Sequence, residues 1–163
     1  MEFADSYLGQ LRSFVGSRLL LVPGTRVVIE NAAGQILLQK RSDFGIWGLP
    51  GGSAEEGEDL EAVAIREVQE ETGLIVSQLQ PFGFACDPAL ETITYPNGDR
   101  CQNFSLNFFT RHFEGVPTPA DDESTECTWF SSENLPEMLP NMRQSVVSYL
   151  RFVSSGQFQM IRA

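Results

Sequence analysis

The sequence predicts an α/β fold in which helices flank a mixed β-sheet. Three observations lead to this prediction. The 163 residues, of which 42% are hydrophobic, suit one compact domain over residues 1–163 with a real core. Helical and extended apolar patterns are mixed along the chain, and some extended segments read as antiparallel hairpins. The charged residues, 20% of the chain, form no low-complexity run, so disorder is not expected.

The first third of the chain predicts a helix followed by strands. The segment ADSYLGQLRSFVG reads as a helix that Asp5 or Ser6 caps and that Gly16 ends. RLLLV reads as a strand that stops at Pro23-Gly24, and TRVVIEN and QILLQKR, on either side of AAG, read as a β-hairpin. The predicted apolar face of the helix consists of Leu8, Leu11, Phe14 and Val15.

The last two fifths of the chain predict further strands and a C-terminal helix. Asn97-Gly98 lies between two extended runs and predicts a hairpin with a type I′ turn. EGVPTPADDESTE is the one long loop, and CTWF after it reads as a short strand. NMRQSVVSYLRFV reads as a helix that Asn141 caps.

The formal net charge of −11 narrows the classes of partner. Binding to a nucleic-acid polymer depends on Lys and Arg that neutralise phosphates, so no such partner is expected. A small phosphorylated molecule stays open, because a metal ion can invert the charge of a local site. No apolar stretch is long enough to span a bilayer, and the N-terminus carries acids where an export signal is basic. We therefore expect no membrane partner and a cytoplasmic location.

Cysteine and histidine are too scarce to predict a zinc site or a disulfide framework. Cys86, Cys101 and Cys127 are odd in number and include no C-x-x-C pair. His112 is the single histidine, so a Ser-His-Asp triad could rest only on that residue.

The segment LEAVAIREVQEET predicts a helix with an acidic patch. Asp59 can cap it and Gly73 stands where a helix would stop. At 100° per residue the core face consists of Leu60, Ala64, Ile65 and Val68. The neighbouring arc, with Arg66 beside it, carries Glu67, Glu70 and Glu71.

Three clustered carboxylates repel each other, and one arginine cannot neutralise all of them. A divalent cation such as Mg²⁺ would relieve the repulsion, since hard cations prefer carboxylate oxygens. The alternative is a solvated acidic face in which Arg66 and Glu70 form an ordinary surface pair.

The residues before this helix favour the metal-binding interpretation. Gly51-Gly52 allows close approach of the backbone to a ligand, and Glu58 lies near the helix N-terminus, where the dipole favours a carboxylate. Lys40 and Arg41 end the preceding strand, where they can bind phosphate oxygens or remain solvated. No Gly-Lys-Ser/Thr and no G-x-G-x-x-G is present, which excludes a P-loop and a Rossmann dinucleotide site.

The whole segment resembles the signature of the Nudix hydrolases. Gly52 is followed after five residues by Glu58, and seven residues later comes the run REVQEETGL, which begins at Arg66. Every fixed position of the signature matches over Gly52–Leu74. The likeness to the family layout extends from Thr25 to Leu139, so residues 1–22 are an N-terminal helix and strand outside the minimal fold.

The resemblance implies a fold, a reaction and a set of residue roles. The fold is an α/β/α sandwich with a mixed β-sheet, in which the signature forms a loop–helix–loop. The reaction is hydrolysis of a pyrophosphate bond, in a nucleoside diphosphate linked to another group, with Mg²⁺ or Mn²⁺. Arg66 would orient the glutamates, Glu58 would steady the loop or reach a metal through water, and Gly52 and Gly73 would be structural. The implied metal ligands are Glu67, Glu70, Glu71 and the carbonyl of Gly51.

The general base is less determined by the sequence. A glutamate of the signature, or Glu123 or Glu126 in the loop before CTWF, would take the proton as water attacks phosphorus. We favour Glu123, and the alternative is a solvated acidic loop. The aromatic residues that could stack on a nucleobase are Phe44, Trp47, Phe84 and Tyr95.

Two other functions on the same fold stay open. One is a module that binds a nucleotide derivative without cleaving it, although such proteins usually lose signature carboxylates and this chain keeps all of them. The other is an isomerase, which usually needs a catalytic cysteine, and Cys86 cannot be placed from sequence. The first helix is predicted to pack on the sandwich or on a second subunit, and a homodimer is the predicted oligomer.

Overall fold

The computed structural model describes residues 1–163, and its elements alternate between helices and strands. A 3₁₀ turn (Phe3–Asp5) precedes the helices α1 (Tyr7–Val15), α2 (Leu60–Thr72), α3 (Pro88–Glu91) and α4 (Pro140–Ser155). The strands are β1 (Leu20–Ile29), β2 (Gln35–Arg41), β3 (Trp47–Gly48), β4 (Ile75–Ser77), β5 (Gln80–Ala85), β6 (Thr92–Thr94), β7 (Arg100–Thr110), β8 (His112–Glu114), β9 (Ser124–Ser131) and β10 (Gln159–Ile161). None of the helices combines the length and the apolar character that a membrane span requires.

The largest sheet is mixed, as the sequence predicts. Its strands lie in the order β1-β7-β5-β10, and β6 pairs with β7. The β1–β7 and β5–β10 pairs are parallel, whereas β5 and β6 are antiparallel to β7. An antiparallel sheet in the order β3-β2-β9 and a two-stranded sheet of β4 and β8 complete the strand pairing.

Helices cover both faces of the strands, because side chains along β1 alternate between two cores. Val27 and Ile29 belong to a cluster that includes Val68 of α2. Val28 between them belongs to a second cluster, which includes Val146 of α4. This alternation has the period of two that a buried strand requires. The predicted α/β/α sandwich is therefore confirmed.

Strand β1 does not stop at Pro23, so that prediction is wrong. The strand continues to Ile29 and keeps its parallel register with β7 throughout. The N–H groups of Thr25 and Val27 point away from β7 and donate to loop carbonyls at Gly52 and Pro50. Pro23 lies in the same phase of the strand. Its missing N–H therefore removes no hydrogen bond to β7.

Both predicted hairpins differ from expectation in detail. A tight turn joins β1 to β2, but only one antiparallel bridge, Glu30–Ile36, links them before β2 leaves to pair with β3 and β9. The β6–β7 hairpin is confirmed. Its turn is not type I′, because Gly98 has a φ of 90° while Asn97 has no positive φ.

The predictions for α1 and α4, which were made from local sequence signals, are correct only in part. Ser6 caps α1 and Gly16 ends it, as predicted. The predicted apolar face is wrong for Phe14 and Val15, which are 86% and 39% exposed, whereas Leu8 and Leu11 are half-buried and Arg12 is buried. The cap of α4 is Leu139, followed by Pro140 at the first helical position, so Asn141 is not the cap.

Candidate active site

Helix α2 has the predicted ends, and these ends fix the position of its glutamates. Asp59 Oδ1 accepts a hydrogen bond of 2.8 Å from the N–H of Ala62. Gly73 has a φ of 74°, and its N–H donates to the carbonyl of Gln69. This left-handed conformation is the reason for glycine at the C-terminal cap.

Glu71 lies beneath the cleft surface and not on an exposed patch. The residue is 1% exposed, and its Oε2 accepts a 2.9 Å hydrogen bond from the N–H of Gly51. No lysine or arginine forms an ion pair with it. The alternative of a solvated acidic face is therefore wrong for Glu71, because the adjacent strands and the glycine loop cover this side of α2.

The two glycines before α2 allow the loop to approach its neighbours closely. Gly51 has a φ of 152°, and a Cβ there would overlap the carbonyl of Thr25. A Cβ on Gly52 would overlap the carboxylate of Glu67. Any larger residue at either position would displace the loop from the strand or from the glutamate.

Arg66 connects the loop to the glutamates. Its Nε and Nη2 donate to the two carboxylate oxygens of Glu58 at 2.6 and 2.8 Å. Its Nη1 donates to Glu67 at 2.8 Å and to Glu70 at 3.2 Å, and its Nη2 also donates to the carbonyl of Ser53. The hydrogen bond with Arg66 lowers the pKa of Glu58. This geometry fits the predicted positioning role of Arg66.

The surroundings of Glu67, Glu71 and Glu123 favour either protonation of these carboxylates or binding of a cation to them. Burial raises the pKa of Glu67 to about 7, although the hydrogen bond from Arg66 opposes the shift. Burial and the charge of Glu67 raise the pKa of Glu71 well above its ordinary value. Desolvation by the loop, together with the charge of Asp121, raises the pKa of Glu123. A group of carboxylates in such surroundings is typical of a functional site.

No group of three or more acidic, histidine or cysteine side chains is already arranged to hold a metal ion. The hydrogen bonds explain this, because Arg66 holds Glu67 and Glu70 while Glu71 turns toward Gly51. The donor set nevertheless fits a hard cation. It supplies carboxylate oxygens that are buried, crowded and only partly neutralised.

A cleft of about 440 Å³ lies beside these carboxylates. Lys40 does not line it and pairs with Glu126 at 3.7 Å. Glu58 and Glu71 do not line it either. The predicted site residues that do line the cleft are Arg41, Gly51, Gly52, Arg66, Glu67, Glu70 and Glu123.

Of the two basic residues predicted to bind phosphate, Arg41 is the one that lines the cleft. Its Nε and Nη2 donate to Asp43 at 2.9 and 2.7 Å, and the guanidinium lies over the ring of Phe44. Although burial opposes its charge, the bond with Asp43 raises the pKa of Arg41. The side chain is therefore charged and fixed in direction at the edge of the cleft.

Residues near the N-terminus form one wall of the cleft, which the sequence pattern did not predict. Met1, Phe3 and Leu8 line it, and of the four predicted aromatic residues only Tyr95 does so. Trp47 packs instead on Phe130 with ring centroids 4.8 Å apart. No local pattern marks the N-terminal residues, because their place in the cleft depends on tertiary contacts.

Comparison with known proteins assigns the family. A family model of the NUDIX domain matches residues 20–150. The chain belongs to the NUDIX family. The predicted membership of the Nudix hydrolases is therefore confirmed, and the chain is an enzyme of this class.

Curated relatives of this NUDIX protein carry several different activities in their names. The putative 8-oxo-dGTP diphosphatase of Bacillus subtilis is 32% identical over 76% of each chain. The ADP-ribose pyrophosphatase of Methanocaldococcus jannaschii is 32% identical over 83% of this chain and 78% of its own. The NAD-capped RNA hydrolase NudC of Pseudomonas fluorescens is 32% identical over 76% of this chain, but the match covers only 41% of that protein.

Solved structures agree with the NUDIX assignment. The MutT NUDIX hydrolase of Burkholderia pseudomallei superposes with a TM-score of 0.63 at 26% identity, over 79% of this chain and 98% of that one. An ADP-ribose pyrophosphatase of Streptococcus suis has a TM-score of 0.65 at 21% identity, over 85% and 96% of the two chains. At that identity the second likeness shows the fold alone.

Proposed function

We propose that residues 1–163 act as one hydrolase domain that cleaves a pyrophosphate bond by attack of water at phosphorus. The substrate class is a nucleoside diphosphate linked to another moiety, such as a nucleoside triphosphate or a nucleotide sugar. The observation that supports this most is the pair Glu67 and Glu71. Glu67 lines the cleft and is half-buried, Glu71 is buried next to it on α2, and both have raised pKa values.

The proposed cofactor is Mg²⁺ or Mn²⁺. A bound divalent cation would neutralise pyrophosphate oxygens and lower the pKa of the attacking water. The residues that would hold it are Glu67, Glu70, Glu71 and the carbonyl of Gly51.

The chain's own residues supply positioning and proton transfer. Arg66 fixes the carboxylates and ties them to the loop through Glu58, and Gly52 lets the loop approach Glu67. Glu123 lines the cleft and has a raised pKa, which suits a general base that takes a proton from water. Arg41 is placed to bind a phosphate oxygen.

Lys40 is less well placed than Arg41 to bind a phosphate oxygen of the substrate. Its Nζ pairs with Glu126 outside the cleft, so it would reach a phosphate only by leaving that partner. Side-chain exposure of 37% and 55% for the two residues makes such an exchange inexpensive. We therefore place Lys40 in a secondary role at the end of β2.

The names of the relatives support the substrate class, because they have a nucleotide derivative and diphosphate chemistry in common. The 8-oxo-dGTP diphosphatase and the ADP-ribose pyrophosphatase are named for a nucleotide derivative and for diphosphate chemistry. They differ in the group attached to the diphosphate. The attached group is therefore the part that experiment has to determine.

A substrate panel tests the proposed reaction. Purified protein is incubated with nucleoside triphosphates, ADP-ribose and nucleotide sugars in Mg²⁺ or Mn²⁺, and the released phosphate, pyrophosphate and nucleotide are measured. We expect cleavage of at least one compound, and loss of that cleavage in excess chelator. Cleavage that survives the chelator would contradict the cation requirement. Tight binding without turnover would favour the non-catalytic binding module.

The predicted homodimer rests on the exposed apolar residues of α1. Phe14 is 86% exposed and Val15 39% exposed, whereas Arg12 on the same helix is buried. Light scattering measures the mass directly. A single species of 18.1 kDa would contradict the dimer.

A further inference from the structure

The cleft has a wall that lies outside the region matched by the NUDIX family model. The match begins at residue 20, whereas residues 1–8 contribute Met1, Phe3, Ser6 and Leu8 to the lining. We call residues 1–8 the N-terminal wall.

Apolar lining is confined to this wall and to the β6–β7 hairpin. The cleft has five hydrophobic lining residues, and the rest of its lining is polar, charged or glycine. These five are Met1, Phe3, Leu8, Tyr95 and Cys101. The carboxylates Glu67, Glu70 and Glu123 belong to the polar remainder. The cleft therefore combines a charged part, suited to phosphates and cations, with an apolar and aromatic part.

One hydrogen bond holds the N-terminal wall against the rest of the cleft, and a glycine lets the chain fold back toward it. The N–H of Tyr7 donates to Glu55 Oε2 at 2.8 Å, which joins the wall to the loop before α2. Gly9 is buried, and a Cβ there would overlap the carbonyl of Phe3. Glycine at this position therefore lets the chain fold back so that Phe3 reaches the cleft.

Arg12 fixes α1 to the hairpin, and its guanidinium is directed at backbone carbonyls and at Asp99. Its Nη1 donates to the carbonyls of Gly16 and Arg18, and its Nη2 donates to the carbonyl of Arg100 at 2.6 Å. Its Nε lies 3.7 Å from Asp99, and the residue is 9% exposed. Arg12 thus anchors the wall and does not bind substrate phosphate.

The charges around the cleft exclude a second anionic group in the apolar part. Of the three basic lining residues, Arg12 is held as described, whereas Arg41 and Arg66 belong to the charged part, with Asp43 and the glutamates. Asp99, which also lines the cleft, can only accept hydrogen bonds when ionised. A flat aromatic group with N–H donors on its edge fits these surroundings, whereas a phosphate or carboxylate does not.

We propose that the N-terminal wall and the β6–β7 hairpin form a subsite for the nucleobase, in which Phe3 and Tyr95 contact the ring. This inference rests on the proposed function, because it assigns the pyrophosphate to the carboxylate part of the same cleft. If the subsite exists, the N-terminal wall, which lies outside the matched NUDIX region, determines part of the substrate specificity.

The test measures binding of the base alone, without metal and without phosphate. Adenosine, guanosine, cytidine, uridine and ribose are titrated into the protein in chelator, and the dissociation constant is followed by NMR chemical shifts. A base that stacks on two aromatic rings should bind with a dissociation constant of about 1 mM, and we expect this value for at least one nucleoside. Phe3→Ala should weaken its binding about tenfold. Ribose should not bind measurably.

Two further variants keep the test decisive. Gly9→Ala should weaken nucleoside binding as Phe3→Ala does, because it displaces Phe3 while leaving that side chain intact. Phe14→Ala is the matched control, since Phe14 is an exposed phenylalanine of α1 that does not line the cleft. Thermal unfolding of each variant verifies that it folds.

The outcomes separate this inference from the proposed reaction. The inference is overturned if no nucleoside binds up to its solubility limit, or if Phe3→Ala binds like the wild type. In either case, cleavage in the substrate panel would still support the hydrolase. Nucleoside binding that depends on Phe3 would support the subsite even if the panel showed no cleavage.

Discussion

At the scale of single residues, the proposed reaction depends most on which carboxylate takes the proton. Glu123→Gln keeps the size of the side chain but removes the basic oxygen, so turnover should fall more than tenfold. Steady-state kinetics on the best substrate of the panel measure this. Glu133→Gln, an exposed glutamate in the loop after β9, is the matched control and should be neutral.

Unchanged turnover in Glu123→Gln would remove this residue from the mechanism. A loss confined to Glu126→Gln would instead assign the proton transfer to the residue that pairs with Lys40.

The sequence predicts which side chains of α2 lie close together better than it predicts their surroundings. The spacing of Glu67, Glu70 and Glu71 follows from helical periodicity alone, as does the proximity of Arg66 and Glu70. The burial of Glu71 does not, because it depends on the glycine loop and on strands that come from distant parts of the chain.

At the scale of elements, the ends of α2 hold the site in register, and the cap can be removed without touching the carboxylates. Asp59→Ala deletes the acceptor for the Ala62 N–H and should lower the free energy of unfolding by about 1 kcal/mol. Urea denaturation measures the change. Glu61→Gln, in the same exposed first turn, should cost only a few tenths of a kcal/mol. Equal costs for the two variants would mean that the cap does not stabilise α2.

The ends of α2 were predicted correctly from local signals, whereas the course of β1, which depends on a distant partner, was not. Asp59 and Gly73 mark the ends of α2 through contacts within a few residues. Strand β1 passes through Pro23 because its partner β7 is about eighty residues away and uses the other edge of the strand. Asn141 failed as a cap because Pro140, a good first helical residue, lies before it.

At the scale of the whole molecule, a buried ion pair ties the central sheet to the helices. Arg26 of β1 pairs with Glu91 of α3, where the two residues are 3% and 0% exposed, and Asn141 of α4 also contacts Glu91. Glu91→Gln leaves the arginine charge buried without an opposite charge and should lower the free energy of unfolding by about 3–5 kcal/mol. The double variant Arg26→Met with Glu91→Leu should recover much of this loss. A cost below about 1 kcal/mol in Glu91→Gln would contradict this role for the pair.

The crowded carboxylates predict how the stability of the metal-free protein depends on pH. The pKa of Glu67 rises from its ordinary 4.5 to about 7 on folding, so the folded state binds more protons between these values. The free energy of unfolding should therefore fall as pH rises through about 5 to 7, and Glu67→Gln should flatten the dependence. Thermal unfolding in chelator at several pH values measures this. A midpoint that rises over the same interval in the wild type would contradict it.

Direct titration of the cation tests the central claim, that a divalent cation compensates the crowded carboxylates. Isothermal titration calorimetry measures the uptake of Mn²⁺ or Mg²⁺ by the wild type and by a variant with both Glu70→Gln and Glu71→Gln. We expect saturable uptake by the wild type and its loss in the variant. No uptake by the wild type, or equal uptake by both proteins, would contradict it.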